Sequence, residues 1–372
     1  MRLFTDVSSS ISDPMLRRAF ELAERGRGTT SPNPLVGCVI AQDDEIVGEG
    51  FHERAGEPHA EAVALAQAGP RASGATAYVT LEPCNHFGKT PPCSEALITR
   101  GIAGVVIGMA DPNPVAVGGS VRLREANVEV DFEQEPAPFQ IQNESWLHWL
   151  RTGRPFVQVK AALSLDGKAT LAQGRRTTIT GTHARELTMR LRSAADAVLI
   201  GAETARVDDP SLLVRQSDGA PAETQPLRVI LGRAGVPDAS LFRDGAGRAI
   251  ALLPAGTTAA TEIETLAFDP PGGIGAALDV LGGLGVTHLL IEAGPRLLSA
   301  LWEEHAIDEL VFIHGGGMAG AEAPTLFSAA SQGERDALER TMQASECGIV
   351  GRDAVTVWRP TDTAPSSAEK GE

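Results

Sequence analysis

Aromatic residues make up only 4% of this 372-residue chain, with a single tyrosine, and basic residues are few: 32 Lys and Arg against 48 Asp and Glu. The formal net charge of −16, with no basic run, argues against nucleic acid as the main partner, because strand-binding proteins need a cationic, aromatic-lined path. Four cysteines are too few for a disulfide framework, which points to the cytoplasm. No run approaches the ~18 apolar residues that span a membrane, and Met1–Ser12 lacks the basic and apolar blocks of a signal peptide; neither a membrane nor export is expected. The Gly-rich Gly315–Gly320 segment is not a G-x-G-x-x-G fingerprint, so it reads as a flexible loop and no Rossmann fold is expected.

What is present describes soluble globular domains. Hydrophobic residues at 42% and charged residues at 22% supply ample core, and 40 Gly with 24 Pro suggest a turn-rich α/β architecture. The length favours two domains. In the first half, Ser12-Asp13-Pro14 caps a helix to about Arg25 with Leu16, Phe20 and Ala23 on one face. Strands are expected at Leu35–Ile40, Glu45–Gly50, around Tyr78, at Val105–Gly108 and at Val128–Val130, with helices after His59, after Cys93 and near Val121–Ala126. Three strand–helix–strand crossings predict a largely parallel sheet covered on both faces. Phe132–Pro138 reads as a boundary loop, and a helix over Phe139–Leu150 leads into the second half. There, strands are expected at Pro155–Lys160, Ala197–Gly201, Arg228–Leu231, Ala249–Leu253, His288–Glu292 and Leu310–Ile313. Helices are expected at Ala184–Ser193, Ile274–Leu284 and Arg296–Glu303. The domains expected are 1–147 and 148–360, with a polar, disordered tail over 361–372.

The first half carries one strong chemical pattern: His59-Ala60-Glu61, then Pro83-Cys84, then Cys93. One imidazole and two thiolates can hold a catalytic zinc, one per chain, which leaves a fourth position for water and lowers its pKa toward neutrality. Glu61, not needed as a ligand, can then shuttle protons between that water and a leaving amine. This is the H-x-E…P-C…C pattern of zinc-dependent amino-heterocycle deaminases, with eight residues rather than two between the cysteines. The competing reading is a structural zinc module, with His52 or His86 as a fourth ligand. Pro58 favours a helix start there, so His59 and Glu61 should emerge together at a helix N-terminus. Cys38 lies in a strand and reads as a small core hydrophobe.

The second half is quieter. Ile291-Glu292-Ala293-Gly294-Pro295 ends a buried strand and opens a helix, where small residues let a phosphate approach free N–H groups. Ser164-Leu165-Asp166-Gly167-Lys168 reads as a tight turn after a strand. With the Thr204–Arg215 stretch, Arg176 and Arg192 supply cations suited to phosphate near strand ends, where α/β ligand sites lie.

Taken together, the motifs resemble those of the bifunctional pyrimidine deaminase/reductases of riboflavin biosynthesis, from about Met15 to about Phe327. The resemblance rests on Thr30–Cys38, Gly56–Glu61, Thr80–Cys93 and Asp111-Pro112-Asn113-Pro114, then on Ser164–Lys168, Thr204–Arg215 and Ile291–Pro295. It implies a cytidine-deaminase-like three-layer α/β/α domain followed by a dihydrofolate-reductase-like α/β domain. The implied reactions are hydrolytic deamination of 2,5-diamino-6-(5-phosphoribosylamino)pyrimidin-4-one, then NADPH-dependent reduction of the ribosyl to a ribityl chain.

Carried over residue by residue, the resemblance assigns zinc to His59, Cys84 and Cys93, proton transfer to Glu61, and pyrimidine contact to Asn33. NADPH would fall to Ala162, Thr178, Thr204, Asp208, Arg233 and the segment Gly294, Pro295, Arg296, Leu297, Leu298, Ser299 and Ala300. Substrate in the reductase half would fall to Arg176, Arg192, Leu212, Arg215 and Glu292. Asp208 and Glu292 are the nearest candidates by motif for the proton donor of the reductase step. The partner implied is a phosphorylated small molecule, and the assembly a homo-oligomer, a dimer. The family's Ser-x-Trp-Ile-Thr is replaced here by Arg176-Thr177-Thr178-Ile179-Thr180. That keeps open a deaminase with a degenerate reductase half. A nucleic-acid deaminase is the further alternative, against which the charge and the single tyrosine weigh.

Overall fold

The computed structural model describes residues 2–86, 91–169, 178–258, 263–327 and 342–361. The chain separates into two units: Met1–Phe156 with Ser193–Asp196 and Leu281–His288, and the remainder.

In the first unit, α1 (Pro14–Glu24) starts where expected. The Asp13 carboxylate accepts from the N–H groups of Met15 and Leu16 at 2.8 and 2.9 Å, and Pro14 takes the first turn. The strands are β1 (Gly37–Gln42) and β2 (Glu45–Phe51), then β3 (Thr76–Val79) after α2 (Ala60–Ala68), β4 (Gly104–Ile107) after α3 (Cys93–Thr99), and β5 (Glu129–Phe132) after α4 (Gly119–Glu125). The order is β2-β1-β3-β4-β5.

The three crossings are present, but the sheet is mixed rather than largely parallel. β1 runs antiparallel to both β2 and β3, while β3, β4 and β5 are parallel. The cause is local. Asp43 and Asp44 both take positive φ, 48° and 66°, the conformation of a two-residue hairpin turn. The crossover through α2 then passes over β1 to reach β3.

Side chains alternate across the sheet. Cys38 and Ile40 pack with Ala64, Leu65, Leu97 and Leu123 from α2, α3 and α4. Val39 faces Ala19 and Leu22 of α1 on the other side. There Phe20 meets Phe139 edge-on at 5.8 Å, with Leu16 and Trp146 in the same cluster. The single helix expected over Phe139–Leu150 is two, α5 (Ala137–Gln142) and α6 (Glu144–Thr152), broken at Asn143. The buried Asn143 side chain explains the break, because it bonds the backbone of Leu35 at both N–H (2.7 Å) and C=O (3.0 Å).

The second unit is built on a nine-stranded sheet, β10-β9-β8-β7-β11-β6-β12-β14-β13. In chain order its elements are β6 (Phe156–Leu163), α7 (Thr182–Ala194), β7 (Ala197–Gly201), α8 (Ala202–Asp208), β8 (Leu227–Leu231), β9 (Ala249–Pro254), β10 (Thr265–Phe268), α9 (Gly273–Gly283), β11 (His288–Glu292), α10 (Pro295–Glu303), β12 (Glu309–His314), β13 (Met342–Val350) and β14 (Asp353–Pro360). β7, β8, β9 and β10 are parallel, as are β7 with β11 and β6 with β12. β13 and β14 form an antiparallel hairpin on β12.

The sequence reading did not anticipate α8, β10, β13 or β14. The Gly315–Gly320 loop, expected to be flexible, is tied down. The Asp166 carboxylate accepts from the N–H groups of Ala319 and Gly320 at 3.0 and 2.8 Å, and the Leu165 N–H donates to Gly317. The tail expected to be disordered lies almost wholly outside the described residues, as do Arg176 and Thr177. Among the described residues, no helix is long and apolar enough to cross a membrane.

Candidate active sites

His59 is the N-cap residue of α2 and Glu61 lies in its first turn, where the helix dipole favours a carboxylate. The helix sits low on the sheet because β2 offers glycine beneath it. A Cβ on Gly50 would collide with the Ala60 carbonyl, so any larger residue would lift the very turn that carries Glu61. Cys93 opens α3 and donates its N–H to Cys84 Sγ at 3.4 Å, while the Ser94 N–H donates to the Cys84 carbonyl at 3.2 Å.

These contacts bring the three candidate ligands together. His59 Nδ1 lies 3.3 Å from Cys93 Sγ and 3.7 Å from Cys84 Sγ, and all three ligand atoms are within 4.8 Å of one another. Tetrahedral zinc, with bonds of about 2.0–2.3 Å, sets ligand-to-ligand edges of roughly 3.6–3.8 Å. The donor set fits the metal in type and in spacing. Among the described residues no fourth His, Cys, Asp or Glu completes this group, although the Glu61 carboxyl lies against Cys93. His52, a candidate fourth ligand, is engaged elsewhere, with Nδ1 3.2 Å from the Pro58 carbonyl and Nε2 3.0 Å from Asn33 Nδ2. Its ring still packs edge-on to His59 at 5.5 Å, so Asn33 stands one side chain away from the cluster.

The charge within the cluster is unevenly shared. The neighbouring Cys93 thiol, followed by His59, draws the Cys84 thiol well below its ordinary range. Cys93, the buried partner of that pair, is pushed up by Cys84 and by burial. Burial raises the Glu61 carboxyl, with the Cys84 charge adding to it. Cys38 is fully buried in the core and its thiol is pushed up by desolvation. Cys38→Ala should therefore leave one zinc per chain. Metal analysis of the purified variant checks this, and loss of the metal would contradict a three-ligand site.

The second unit brings part of its predicted set together. Glu292, at the end of β11, accepts from Arg192 Nε at 2.6 Å and from Lys160 Nζ at 3.2 Å. Burial would raise its pKa, but the two cations overcome that and hold it at about 2. Glu292 is thus held as a carboxylate between two cations. Arg192 also donates Nη1 to the Leu213 carbonyl at 2.9 Å, so the fold uses much of its guanidinium internally. Leu212 beside it is buried, with a positive φ of 55°. Arg215 instead reaches the Gly219 carbonyl at 2.9 Å.

Thr204 lies on α8, and a Cβ on Gly294 would come within 3.1 Å of its Oγ1. The start of α8 is thereby placed against the start of α10, whose cap is Gly294 and first residue Pro295. Within the predicted segment Arg296 is exposed, Leu298 is fully buried, and Ser299 turns its hydroxyl back to the Pro295 carbonyl at 2.8 Å. Ala162 and Asp208 are half-buried, and Thr178 and Arg233 are exposed. Lys160 was missed by sequence reasoning. Its signal was a lone cation inside the apolar run Phe156-Val157-Gln158-Val159-Lys160.

Two family models match the chain in succession: the cytidine and deoxycytidylate deaminase zinc-binding region over residues 10–109, and the RibD C-terminal domain over residues 155–355. The riboflavin biosynthesis protein RibD of Escherichia coli is 39% identical over 325 residues, covering 83% of this chain and 88% of that protein. The chain belongs to the RibD family. RibD of Synechocystis is 50% identical over 220 residues, 59% of each protein. The Acinetobacter baumannii RibD structure superposes with a TM-score of 0.83 at 36% identity, covering 93% of this chain and 98% of that one. A Thermotoga maritima diaminohydroxyphosphoribosylaminopyrimidine deaminase/5-amino-6-(5-phosphoribosylamino)uracil reductase matches at 0.84 and 30% identity, over 95% and 99%. Like its RibD relatives, this chain is a bifunctional deaminase and reductase of riboflavin biosynthesis, with the deaminase half first.

Proposed function

We propose that the first unit deaminates 2,5-diamino-6-(5-phosphoribosylamino)pyrimidin-4-one at a zinc held by His59, Cys84 and Cys93, and that the second unit reduces the ribosyl chain of the product with NADPH. The observation that carries this reading is the three-ligand cluster with a buried, non-ligating carboxylate at the same helix start. When bound, zinc supplies Lewis-acid charge and an acidified water. Glu61 would take one proton from the attacking water and deliver it to the ring nitrogen, then take the remaining proton of the added hydroxyl and pass it to the departing amine, which leaves as ammonia. Its burial keeps the proton between carboxyl and substrate rather than losing it to solvent. Asn33, oriented by His52, holds the pyrimidine edge.

In the second unit NADPH supplies the hydride, and the protein's part is orientation. The half-buried first turn of α10, from Gly294, offers N–H groups to a cofactor phosphate, with Ala162, Thr178, Thr204, Asp208 and Arg233 around the cofactor. Glu292, Leu212 and Arg215 line the substrate side, and Arg192 fixes Glu292. Assembly as a homo-oligomer and residence in the cytoplasm belong to the same reading. Incubating the protein with the diaminopyrimidine phosphate, with and without NADPH, and identifying products by mass tests it. Without cofactor the amine-to-oxygen product should accumulate. With cofactor the ribityl product should replace it, whereas a product that stops at deamination would mean a degenerate reductase.

The same reading predicts a preference for NADPH over NADH. One charge-assisted hydrogen bond from Arg233 or Arg176 to the 2′-phosphate is worth ~1.5–3 kcal/mol. That corresponds to roughly 10- to 100-fold in affinity. Titration of each cofactor, followed by quenching of protein fluorescence, measures it; equal affinities would leave those arginines to the substrate alone.

A further inference from the structure

Arg228 lies in β8 with no exposed surface, a place where a charge is costly unless paired and hydrogen-bonded. Its guanidinium forks onto Asp244, Nη1 to Oδ2 at 2.6 Å and Nη2 to Oδ1 at 2.9 Å, and Nη2 also donates to the Gly247 carbonyl at 2.6 Å. Nη1 makes one more bond, to the Ser211 carbonyl at 3.2 Å. Two residues along, the Leu213 carbonyl accepts from Arg192, itself locked by Glu292. The next residue is held at both ends: Val214 N–H donates to Gln225 Oε1 at 2.8 Å, and Gln225 Nε2 donates to the Val214 carbonyl at 2.9 Å.

Between the two arginine-held carbonyls is Leu212, with a φ of 55° and almost no exposure. Leucine has no local hydrogen bond to offset a left-handed backbone, unlike Asn or Asp, and no freedom from Cβ contacts, unlike Gly. Such a conformation persists only where the surroundings over-determine it, and strain of this kind gathers at functional sites. Here the over-determination is visible: two buried guanidinium groups, each fixed by its own carboxylate, grip the carbonyls on either side.

We propose that Arg228, locked by Asp244, is a positioning residue of the reductase site that sets Leu212 in its left-handed conformation before substrate arrives. Arg228 is too deeply buried to touch substrate. It acts through the Ser211–Arg215 segment, and so the inference rests on the reading that Leu212 and Arg215 serve the phosphorylated pyrimidine. A bent segment already in place means that binding does not have to order it.

Asp244→Asn removes the charge that fixes the guanidinium while keeping its shape. The expected result is a KM for the reductase substrate raised about tenfold, with kcat within about twofold and deamination unchanged, and with most of the KM recovered in Asp244→Glu. A lowered melting temperature with an unchanged KM would make Arg228 merely structural and overturn the proposal. Hydrogen exchange on the unaltered protein decides the matter even if the variant fails to fold. The Val214 amide, which donates to Gln225 within this segment, should exchange slowly without substrate, and rapid exchange that slows only on binding would overturn the proposal. A protein that reduces no pyrimidine phosphate at all would sink the functional reading instead, and the exchange measurement would still judge the clamp.

Discussion

Glu61→Gln is expected to bind one zinc per chain and to deaminate about 10²- to 10⁴-fold more slowly, the usual worth of a positioned general acid–base. The amide keeps the size of the carboxylate and fills the same buried position in the first turn of α2. It cannot accept the proton that Glu61 takes. The three ligands lie on His59 and on the Cys84–Cys93 segment, none on Glu61 itself, so metal content should survive. Reduction of the already deaminated substrate should proceed at the unaltered rate, because it belongs to the second unit. Steady-state deamination together with metal analysis checks both halves of the expectation. Loss of zinc along with activity would make Glu61 a ligand and refute its role as proton carrier.

Glu292→Gln should have the largest effect in the second unit. The carboxylate lies between Lys160 and Arg192, and all three side chains are largely buried, with 16, 14 and 11% exposure. Neutralising it leaves two cations facing each other without compensation, a change that costs about 3–5 kcal/mol in buried pairs. It also frees Arg192 from the geometry that holds the Leu213 carbonyl. Reduction should fall steeply while deamination is retained. The pH dependence has a definite sign. The folded pKa of about 2 is below the ordinary 4.5, so the stabilisation is complete above the ordinary value and is lost as pH falls toward 2. Acid unfolding of the second unit should show this loss, and the variant should lack it. A variant as stable as the unaltered protein across that range would refute the network.

The clustering of His59, Cys84 and Cys93 was legible because its information is local. His, Glu and two Cys are residue types with few other joint uses, and Pro58 announces the helix that carries two of them. The first helix was equally open, since Asp13 and Pro14 state its cap. Strand order was less legible: nothing within β1 says that it will lie between two strands running the other way. The β13–β14 hairpin escaped because β13 lies on the sheet edge with most of its residues exposed, which erases the alternation that marks a half-buried strand. Lone cations inside apolar strands, Lys160 and Arg228, were passed over for a related reason. Each is explained only by a carboxylate distant in sequence, Glu292 or Asp244. The internal partners of Arg192 were equally hidden in the sequence. Read as a cation for phosphate, Arg192 is largely committed to Glu292 and to a loop carbonyl.

His59, Cys84 and Cys93 are expected to form a catalytic zinc centre rather than a structural one. X-ray absorption at the zinc edge of the purified protein tests it most directly. The expected coordination is one imidazole nitrogen and two sulfurs from the chain, with the fourth position left to solvent and exchangeable for a substrate analogue. A second imidazole, from His52 or His86, or any other fourth protein ligand that substrate analogues do not displace, would contradict it.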